Sequence, residues 1–248
     1  MSEINKLNNA SDQIIVALDF PSWQEAEQIV EHLNSICWFK IGLELYLASR
    51  GRAVDELKAR GKKVFLDLKF HDIPNTVSQA CKQASAFGVD MMNIHISGGR
   101  TMIEQALKAT NEAAAAAGKT APLLIGVTVL TSLADSDLAE TGVQASTEAQ
   151  VIRLAKLARD AGLGGVVASP QEIALIREAC GNEFVIVCPG VRTDETLSGD
   201  DQKRVMTPQK ALQAGADFLV IGRPITRAID PEQAAKDIIL SIKGGKYA

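Results

Sequence analysis

The chain has 248 residues, of which 46% are hydrophobic and 23% are charged, and its formal net charge is -4 at pH 7. This composition is typical of a folded globular protein and excludes an intrinsically disordered chain. The most apolar window, residues 121–130, is much shorter than the roughly 18 apolar residues that a membrane span needs. Mild acidity without clusters of lysine or arginine argues against nucleic acid as the main partner.

The N-terminal segment and the cysteines indicate a cytoplasmic protein. The first ten residues, MSEINKLNNA, lack the basic start and apolar middle of a signal peptide. The four cysteines have no CxxC spacing, and the three histidines form no HExxH motif. We therefore expect reduced thiols, no zinc site and no membrane partner.

Short β-branched segments alternate with helical patterns along the whole chain. Ser22 and Asp230-Pro231 provide capping and first-turn signals for two of the helices. Regular alternation of this kind predicts a parallel sheet with helical crossovers. The eight predicted strands are residues 13–19, 37–42, 63–69, 91–96, 123–130, 165–169, 184–191 and 218–223.

Eight strand–helix units in a chain of this length favour an α/β fold of the closed (β/α)₈ TIM-barrel type. No linker or change of composition divides the chain, so we expect one catalytic domain over residues 1–248. A doubly wound open sheet is the alternative. However, Asp19-Phe20-Pro21-Ser22 after the first strand is not the glycine-rich turn of a dinucleotide-binding sheet. Two long connections, 131–147 and 192–207, follow strands and are expected to be functional loops.

The third predicted strand, KVFLDLK, carries charges that a barrel strand ordinarily lacks. Because side chains alternate along a strand, Phe65, Asp67 and Lys69 share one face, which we expect to point towards the barrel axis. Buried charges of this kind must pair with one another. A purely structural ion pair is therefore one interpretation of this strand.

Charged residues recur at the ends of other predicted strands, which favours a functional site over a structural pair. Asp19 ends the first strand, Lys40 lies in the second, and Arg223 follows Gly222 at the end of the eighth. Catalytic residues of such barrels collect at the carboxyl ends of the strands. Gly222 and Arg223 form a candidate phosphate anchor, with Arg192 as a second candidate cation.

The segment DLKFHDIPNT, residues 67–76, resembles the DxKxxDIxxT signature of the orotidine 5′-phosphate decarboxylase family in its bacterial form. The resemblance extends over nearly the whole chain and includes five further blocks in the same order. These blocks are Leu18-Asp19 with Lys40, VTVLTS at 127–132, PGVR at 189–192, GDDQ at 199–202 and IGRP at 221–224. One departure is an additional residue in GDDQ, where many bacterial members have GDQ.

The resemblance implies a homodimer without a cofactor that converts orotidine 5′-monophosphate to uridine 5′-monophosphate and CO₂. It implies that Lys69 is the proton donor, with Asp67 beside it, and that Asp72 and Thr76 reach the partner subunit's site. The other residues implied to bind substrate are Asp19 and Lys40 at the ribose, Thr131 at the pyrimidine, and Arg192, Gln202, Gly222 and Arg223 at the phosphate.

Two alternatives remain open from the residues themselves. A metal-dependent 3-keto-sugar-6-phosphate decarboxylase or hexulose-phosphate synthase shares the DxKxxD pattern and holds Mg²⁺ with carboxylates. The charge of Lys40 argues against a cation in that position. A non-catalytic barrel that senses nucleotides is the second alternative, and the complete set of two lysines and two aspartates argues against it.

Overall fold

Eight parallel strands pair in chain order and close into a barrel, because β1 pairs with both β2 and β8. The computed structural model describes residues 9–191 and 206–244. The strands are β1 (Ile14–Leu18), β2 (Trp38–Gly42), β3 (Lys63–Phe70), β4 (Met91–His95), β5 (Leu123–Val127), β6 (Gly165–Val167), β7 (Val185–Cys188) and β8 (Phe218–Ile221). The predicted (β/α)₈ barrel is confirmed.

Helices connect the strands and cover the outside of the barrel. Ser22 caps the first helix by accepting from the Glu25 N–H, and Asp230 caps the last by accepting from the Gln233 N–H, as the capping signals predict. The helices are α1 (Trp23–His32), α2 (Leu43–Ala48), α3 (Arg52–Ala59), α4 (Pro74–Ala86), α5 (Arg100–Ala116), α6 (Asp135–Glu140), α7 (Thr147–Asp160), α8 (Ile173–Cys180), α9 (Pro208–Gln213), α10 (Arg223–Thr226) and α11 (Pro231–Ile242).

Alternation along the strands divides the apolar side chains between two cores. Val64 and Leu66 of β3 pack in the larger core, between the sheet and the helices. Phe65, between them in sequence, packs in a smaller core inside the barrel, together with Trp38 of β2 and Phe218 of β8. The rings of Trp38 and Phe218 make an edge contact with their centroids 5.4 Å apart. The predicted inward orientation of Phe65 is therefore confirmed.

Several predicted strands are longer than the observed ones at their carboxyl ends. The fifth strand ends at Val127 rather than at residue 130, and the seventh ends at Cys188 rather than at residue 191. Val129, Leu130, Pro189 and Gly190 instead leave the sheet and line a cavity at the mouth of the barrel. In the part of the chain that the structure describes, no helix is both long and apolar enough to cross a bilayer.

Candidate active site

A cavity of about 260 Å³ opens at the carboxyl ends of the strands. Seven of the predicted site residues line it. They are Asp19, Lys40, Asp67, Lys69, Thr131, Gly222 and Arg223. Since a parallel barrel places every strand's carboxyl end at the same rim, residues far apart in sequence converge there.

Four of these side chains form a row of alternating charge, which we call the charged wall: Asp19, Lys40, Asp67 and Lys69. The Lys40 Nζ lies 3.0 Å from the Asp19 Oδ1 and 3.4 Å from the Asp67 Oδ2. The Lys69 Nζ lies 2.7 Å from the Asp67 Oδ1. Strand register explains the order, because Ala17 of β1 is the partner of Lys40, and Gly42 of β2 is the partner of Asp67.

Burial and pairing act in opposite directions on the two central charges. Burial lowers the pKa of Lys40, but Asp67 and Asp19 raise it more, and the net pKa is above its ordinary value. Burial raises the pKa of Asp67, but Lys40 and Lys69 together with hydrogen bonds outweigh this effect, so its net pKa is lowered. Both groups are therefore ionised at neutral pH, and their mutual attraction compensates for the loss of water.

Gly42 leaves room for this arrangement at the end of β2. A Cβ atom at this position would lie 3.1 Å from the Lys40 Nζ and 3.6 Å from the Asp19 Oδ1. Any larger side chain would therefore press on the contact between the ammonium and the carboxylate. A glycine at residue 42 thus permits the closest approach of the first two charges.

The rest of the cavity is mostly apolar. We select five of its aliphatic residues, which lie in or just after strands β5, β6 and β8, and call them the apolar wall. These residues are Val127, Val129, Val167, Ala168 and Val220. Sequence reasoning did not single them out, because aliphatic residues in strands are ordinary core residues until the fold shows a cavity beside them.

Arg223 and two glycines line the cavity beyond the ends of β7 and β8. Gly190 follows β7 with a φ of +78°, and Gly222 follows β8 directly before Arg223. Glycines allow an anion to approach the backbone closely, and the exposed guanidinium of Arg223 provides several donors. This corner of the cavity is suited to bind a phosphate group.

Asp72 and Thr76 do not join the cavity within the chain. Both side chains are exposed, and the Asp72 Oδ1 accepts from the Ile73 N–H at 2.6 Å. β3 ends at Phe70, so the alternation that directs Phe65 and Asp67 inwards no longer applies to Asp72. Arg192 and Gln202, the other predicted phosphate ligands, lie outside the described residues.

Asn93 is a polar site residue that sequence reasoning missed. It lies in the middle of β4 and is completely buried. Its Nδ2 donates to the Asp67 Oδ1 at 2.7 Å, and its Oδ1 accepts from the backbone N–H of Lys69 at 2.8 Å. The available signal was one amide in the apolar run Met91-Met92-Asn93-Ile94, although its partners depend on the pairing of β3 with β4.

Two histidines lie at the ends of β3 and β4. The rings of His71 and His95 are 5.3 Å apart between centroids. Burial lowers the pKa of His95, and the neighbouring His71 and Lys69 lower it further. Among the residues that the structure describes, no cluster of three or more histidine, cysteine or acidic side chains is arranged to hold a metal ion.

Comparisons with known proteins agree on one family. Residues 12–238 match the family model described as orotidine 5′-phosphate decarboxylase / HUMPS family. Two curated relatives named orotidine 5′-phosphate decarboxylase are similar over most of their length. The relative from Moorella thermoacetica is 53% identical, covering 95% of this chain and 94% of its own. The relative from Nostoc sp. is 49% identical, covering 92% of this chain and 96% of its own.

A solved structure extends the similarity to three dimensions. The crystal structure of orotidine 5′-phosphate decarboxylase from Lactobacillus acidophilus superposes with a TM-score of 0.83 at 34% identity. The superposition covers 93% of this chain and 99% of the other. Sequence and fold therefore indicate the same relationship.

Proposed function

Because the chain belongs to the orotidine 5′-phosphate decarboxylase / HUMPS family of enzymes, we propose that it decarboxylates orotidine 5′-monophosphate to uridine 5′-monophosphate and CO₂. This reaction is the last step in the synthesis of the pyrimidine nucleotide. The observation that carries the proposal is the charged wall, which presents two ammonium groups and two carboxylates to one cavity. We further propose that the enzyme works in the cytoplasm without a cofactor, as one domain over residues 1–248.

The chemistry demands fixed charge at the reacting carbon. Loss of CO₂ from C6 of the orotate ring leaves an electron pair in the ring plane, at right angles to the π system. The ring itself therefore cannot delocalise that pair. The remaining means of stabilisation is a preorganised positive charge beside C6. The Lys69 ammonium provides this charge in our proposal and then transfers a proton to C6.

Asp67 keeps that ammonium in place. Its Oδ1 accepts from the Lys69 Nζ at 2.7 Å, and its Oδ2 lies 3.4 Å from the Lys40 Nζ. The carboxylate therefore favours the charged form of Lys40 and restricts where both lysines can point. We assign Asp67 the role of orienting Lys69, and Lys40 the role of completing the alternating charges.

The other cavity residues bind the parts of the nucleotide that do not react. We propose that Asp19 and Lys40 hold the ribose hydroxyls and that Thr131 contacts the pyrimidine. Gly222 and Arg223 bind the phosphate, with Arg192 and Gln202 proposed as further phosphate ligands. Binding energy gained at the phosphate would then order the distant reacting end of the substrate.

We also propose that the enzyme is a homodimer in which Asp72 and Thr76 complete the partner's site. Both residues are exposed and follow β3, at the same end of the barrel as the cavity. Three large apolar side chains near the ends of β2 and β3 are also exposed, namely Leu43, Leu47 and Ile73, by 55%, 70% and 67%. Exposed aliphatic residues of this kind favour a protein interface.

Subunit mixing tests the contribution from the partner. Inactive Lys69→Ala and Asp72→Asn chains, mixed in equal amounts and allowed to exchange, should recover about a quarter of the wild-type activity, because half of the dimers are mixed and each has one intact site. A mixture of Lys69→Ala with Asp67→Asn is the control, since both residues belong to the same chain's site and no intact site forms. Recovery no greater than in the control, after confirmed exchange, contradicts the assignment.

A chelator assay tests the reaction itself. We expect purified protein to reduce the absorbance of orotidine 5′-monophosphate, with the same rate before and after treatment with EDTA. Lys40 and Lys69 pair with Asp19 and Asp67, so the two carboxylates are balanced by two ammonium groups and have little charge left for Mg²⁺. Activity on a 3-keto-sugar 6-phosphate that EDTA abolishes would instead support the metal-dependent branch of the family. Binding of the nucleotide without turnover would support a sensor.

A further inference from the structure

The strand that carries Asp67 and Lys69 is irregular where these residues lie. Leu66 pairs with Met92 of β4, and the next pair is Phe70 with Ile94. β3 therefore advances four residues while β4 advances two, and Asp67, Leu68 and Lys69 all lie opposite Asn93. A bulge of this kind redirects side chains and interrupts the ladder of backbone hydrogen bonds.

Lys69 adopts a backbone conformation that lysine rarely has. Its φ is +51°, in the left-handed region. For a residue with a Cβ this conformation is strained and persists only where neighbouring groups enforce it. The lysine that contacts Asp67 is therefore held in place by something other than regular strand geometry.

The Asn93 side chain connects both parts of the bulge. The Asn93 Oδ1 accepts from the Lys69 backbone N–H at 2.8 Å, in the stretch where the ladder is interrupted. Its Nδ2 donates to the Asp67 Oδ1 at 2.7 Å, the same oxygen that accepts from the Lys69 Nζ. One buried amide thus contacts the main chain of Lys69 and the carboxylate that holds the ammonium of Lys69.

We propose that Asn93 is a positioning residue for decarboxylation, which holds the Lys69 backbone in its left-handed conformation and the Asp67 carboxylate towards the ammonium. The proposal rests on the proposed function and assigns to that site a residue that does not touch the substrate. A displacement of about 1 Å at a catalytic group lowers rates by on the order of 100-fold. Asn93 therefore acts on the rate of the chemical step rather than on binding of the nucleotide.

Only a primary amide of this length satisfies both partners. An aspartate at this position has the same shape and keeps the acceptor for the Lys69 N–H. When ionised, however, it presents an oxygen to the Asp67 carboxylate in place of a donor. A leucine has neither group, so it leaves the buried Lys69 N–H without its acceptor and leaves the Asp67 Oδ1 with Lys69 as its remaining donor. The Asn93→Asp variant therefore loses the hydrogen bond to Asp67 and keeps the one from the Lys69 N–H. The lost bond can form again only when the new carboxyl group is protonated, so its recovery depends on pH.

The test compares Asn93→Asp with wild type over a range of pH. At neutral pH we expect kcat to fall about 100-fold, while KM and the affinity for uridine 5′-monophosphate change by less than about threefold. As the pH is lowered, the introduced carboxyl gains a proton and donates to Asp67, so the ratio of variant to wild-type kcat should rise. The neighbouring carboxylate raises the pKa of the new group, which brings this recovery into an accessible range.

A matched control separates positioning from a general loss of stability. Thr110 in α5 is also completely buried, and its Oγ1 donates to the Ala106 carbonyl within the same helix. Thr110→Val should lower thermal stability without changing kcat at any pH. Three results for Asn93→Asp would overturn the proposal. The ratio of variant to wild-type kcat would not vary with pH, kcat would be unchanged, or the affinity for uridine 5′-monophosphate would fall as much as kcat.

A second measurement uses wild-type protein, so it remains decisive where a variant does not fold. With ¹⁵N-labelled asparagine, the Asn93 side-chain amide should exchange slowly with solvent, and its resonance should shift when uridine 5′-monophosphate binds. Rapid exchange together with no response to the nucleotide would contradict the proposal. Wild-type turnover in the same assay separates the two hypotheses, since an inactive wild type refutes the proposed function and not the contacts of Asn93.

Discussion

The charged wall and the apolar wall of the cavity differ in the polarity of their side chains. β1, β2 and β3 contribute the charged wall, whereas residues in or after β5, β6 and β8 contribute the apolar wall. The two buried charges, Lys40 and Asp67, tolerate burial because each has partners of opposite sign within 3.4 Å. The aliphatic residues of the apolar wall lower the local polarisability, and this strengthens the field of every charge in the cavity. Charges grouped in one wall stabilise a localised electron pair better than charges distributed around the whole cavity.

The largest expected effect comes from removing the outer charge of the charged wall. Lys69→Met should lower kcat/KM by at least about 10⁴-fold, because in our proposal Lys69 is both the proton donor and the charge beside C6. The measurement is the loss of substrate absorbance in single-turnover conditions. Lys63→Met is the control, because Lys63 is exposed at the other end of β3, with its Nζ over the Trp38 ring. Turnover by Lys69→Met at the wild-type rate would refute the role of the charged wall.

The second largest effect is expected from removing Arg223, the cation just after the end of β8. Arg223→Ala should lower kcat/KM for the nucleotide by about 10²-fold or more, and for the phosphate-free nucleoside by less than about threefold, since its binding energy acts through the phosphate. Arg227→Ala removes the same charge one turn later, at the end of α10, and should leave both values unchanged. Equal losses on both substrates would show that Arg223 does not act through the phosphate.

A smaller effect is expected from making the apolar wall polar. Val167→Thr replaces a methyl by a hydroxyl of similar size, and we expect kcat to fall about tenfold, because a polar group and its water reduce the field across the cavity. Val187, the partner of Val167 in the register of β6 and β7, lies in the inner core and is not among the cavity residues. Val187→Thr should therefore reduce stability and preserve kcat. The opposite pattern would show that the apolar wall is only structural.

The smallest effect is on stability and tests whether the charged wall stabilises the fold. The pKa of Asp67 is lower in the folded protein than in the unfolded chain. The ionised carboxylate therefore stabilises the fold at pH values above the ordinary carboxyl pKa, and this stabilisation is lost as the pH falls through the lowered pKa. The difference in Tm between wild type and Asp67→Asn should therefore shrink below about pH 4. Each 1 kcal/mol lost corresponds to roughly 2–4 °C in a protein of this size. A difference that stays constant with pH would show that pairing of Asp67 adds nothing to stability.

Much of the charged wall was predictable from the sequence because it depends on two simple periodicities. Alternation along a strand assigns Phe65 and Asp67 to one face, and the parallel arrangement brings the ends of β1, β2 and β3 to one rim. Asp19 and Lys40 follow from the same argument, and the structure places all of them around one cavity. The motif in residues 67–76 also led to the family that the comparisons support.

The bulge and its amide were not predictable in this way. Between Leu66 and Phe70, β3 has two more residues than the paired segment of β4. This difference depends on how two whole strands fit in a closed barrel. No local pattern shows that Lys69 has a positive φ or that Asn93 contacts it. Asn93 alone in sequence is only a polar residue in an apolar strand.

The sequence by itself determined the order of strands and helices, the face of β3 that carries charge, and the family resemblance, since each depends on residues close together in the chain. Tertiary structure alone decided the separation into a charged and an apolar wall, the left-handed conformation of Lys69, and the two hydrogen bonds of Asn93. Those features depend on register and ring closure, in which the geometry of each strand is set by neighbours distant in sequence.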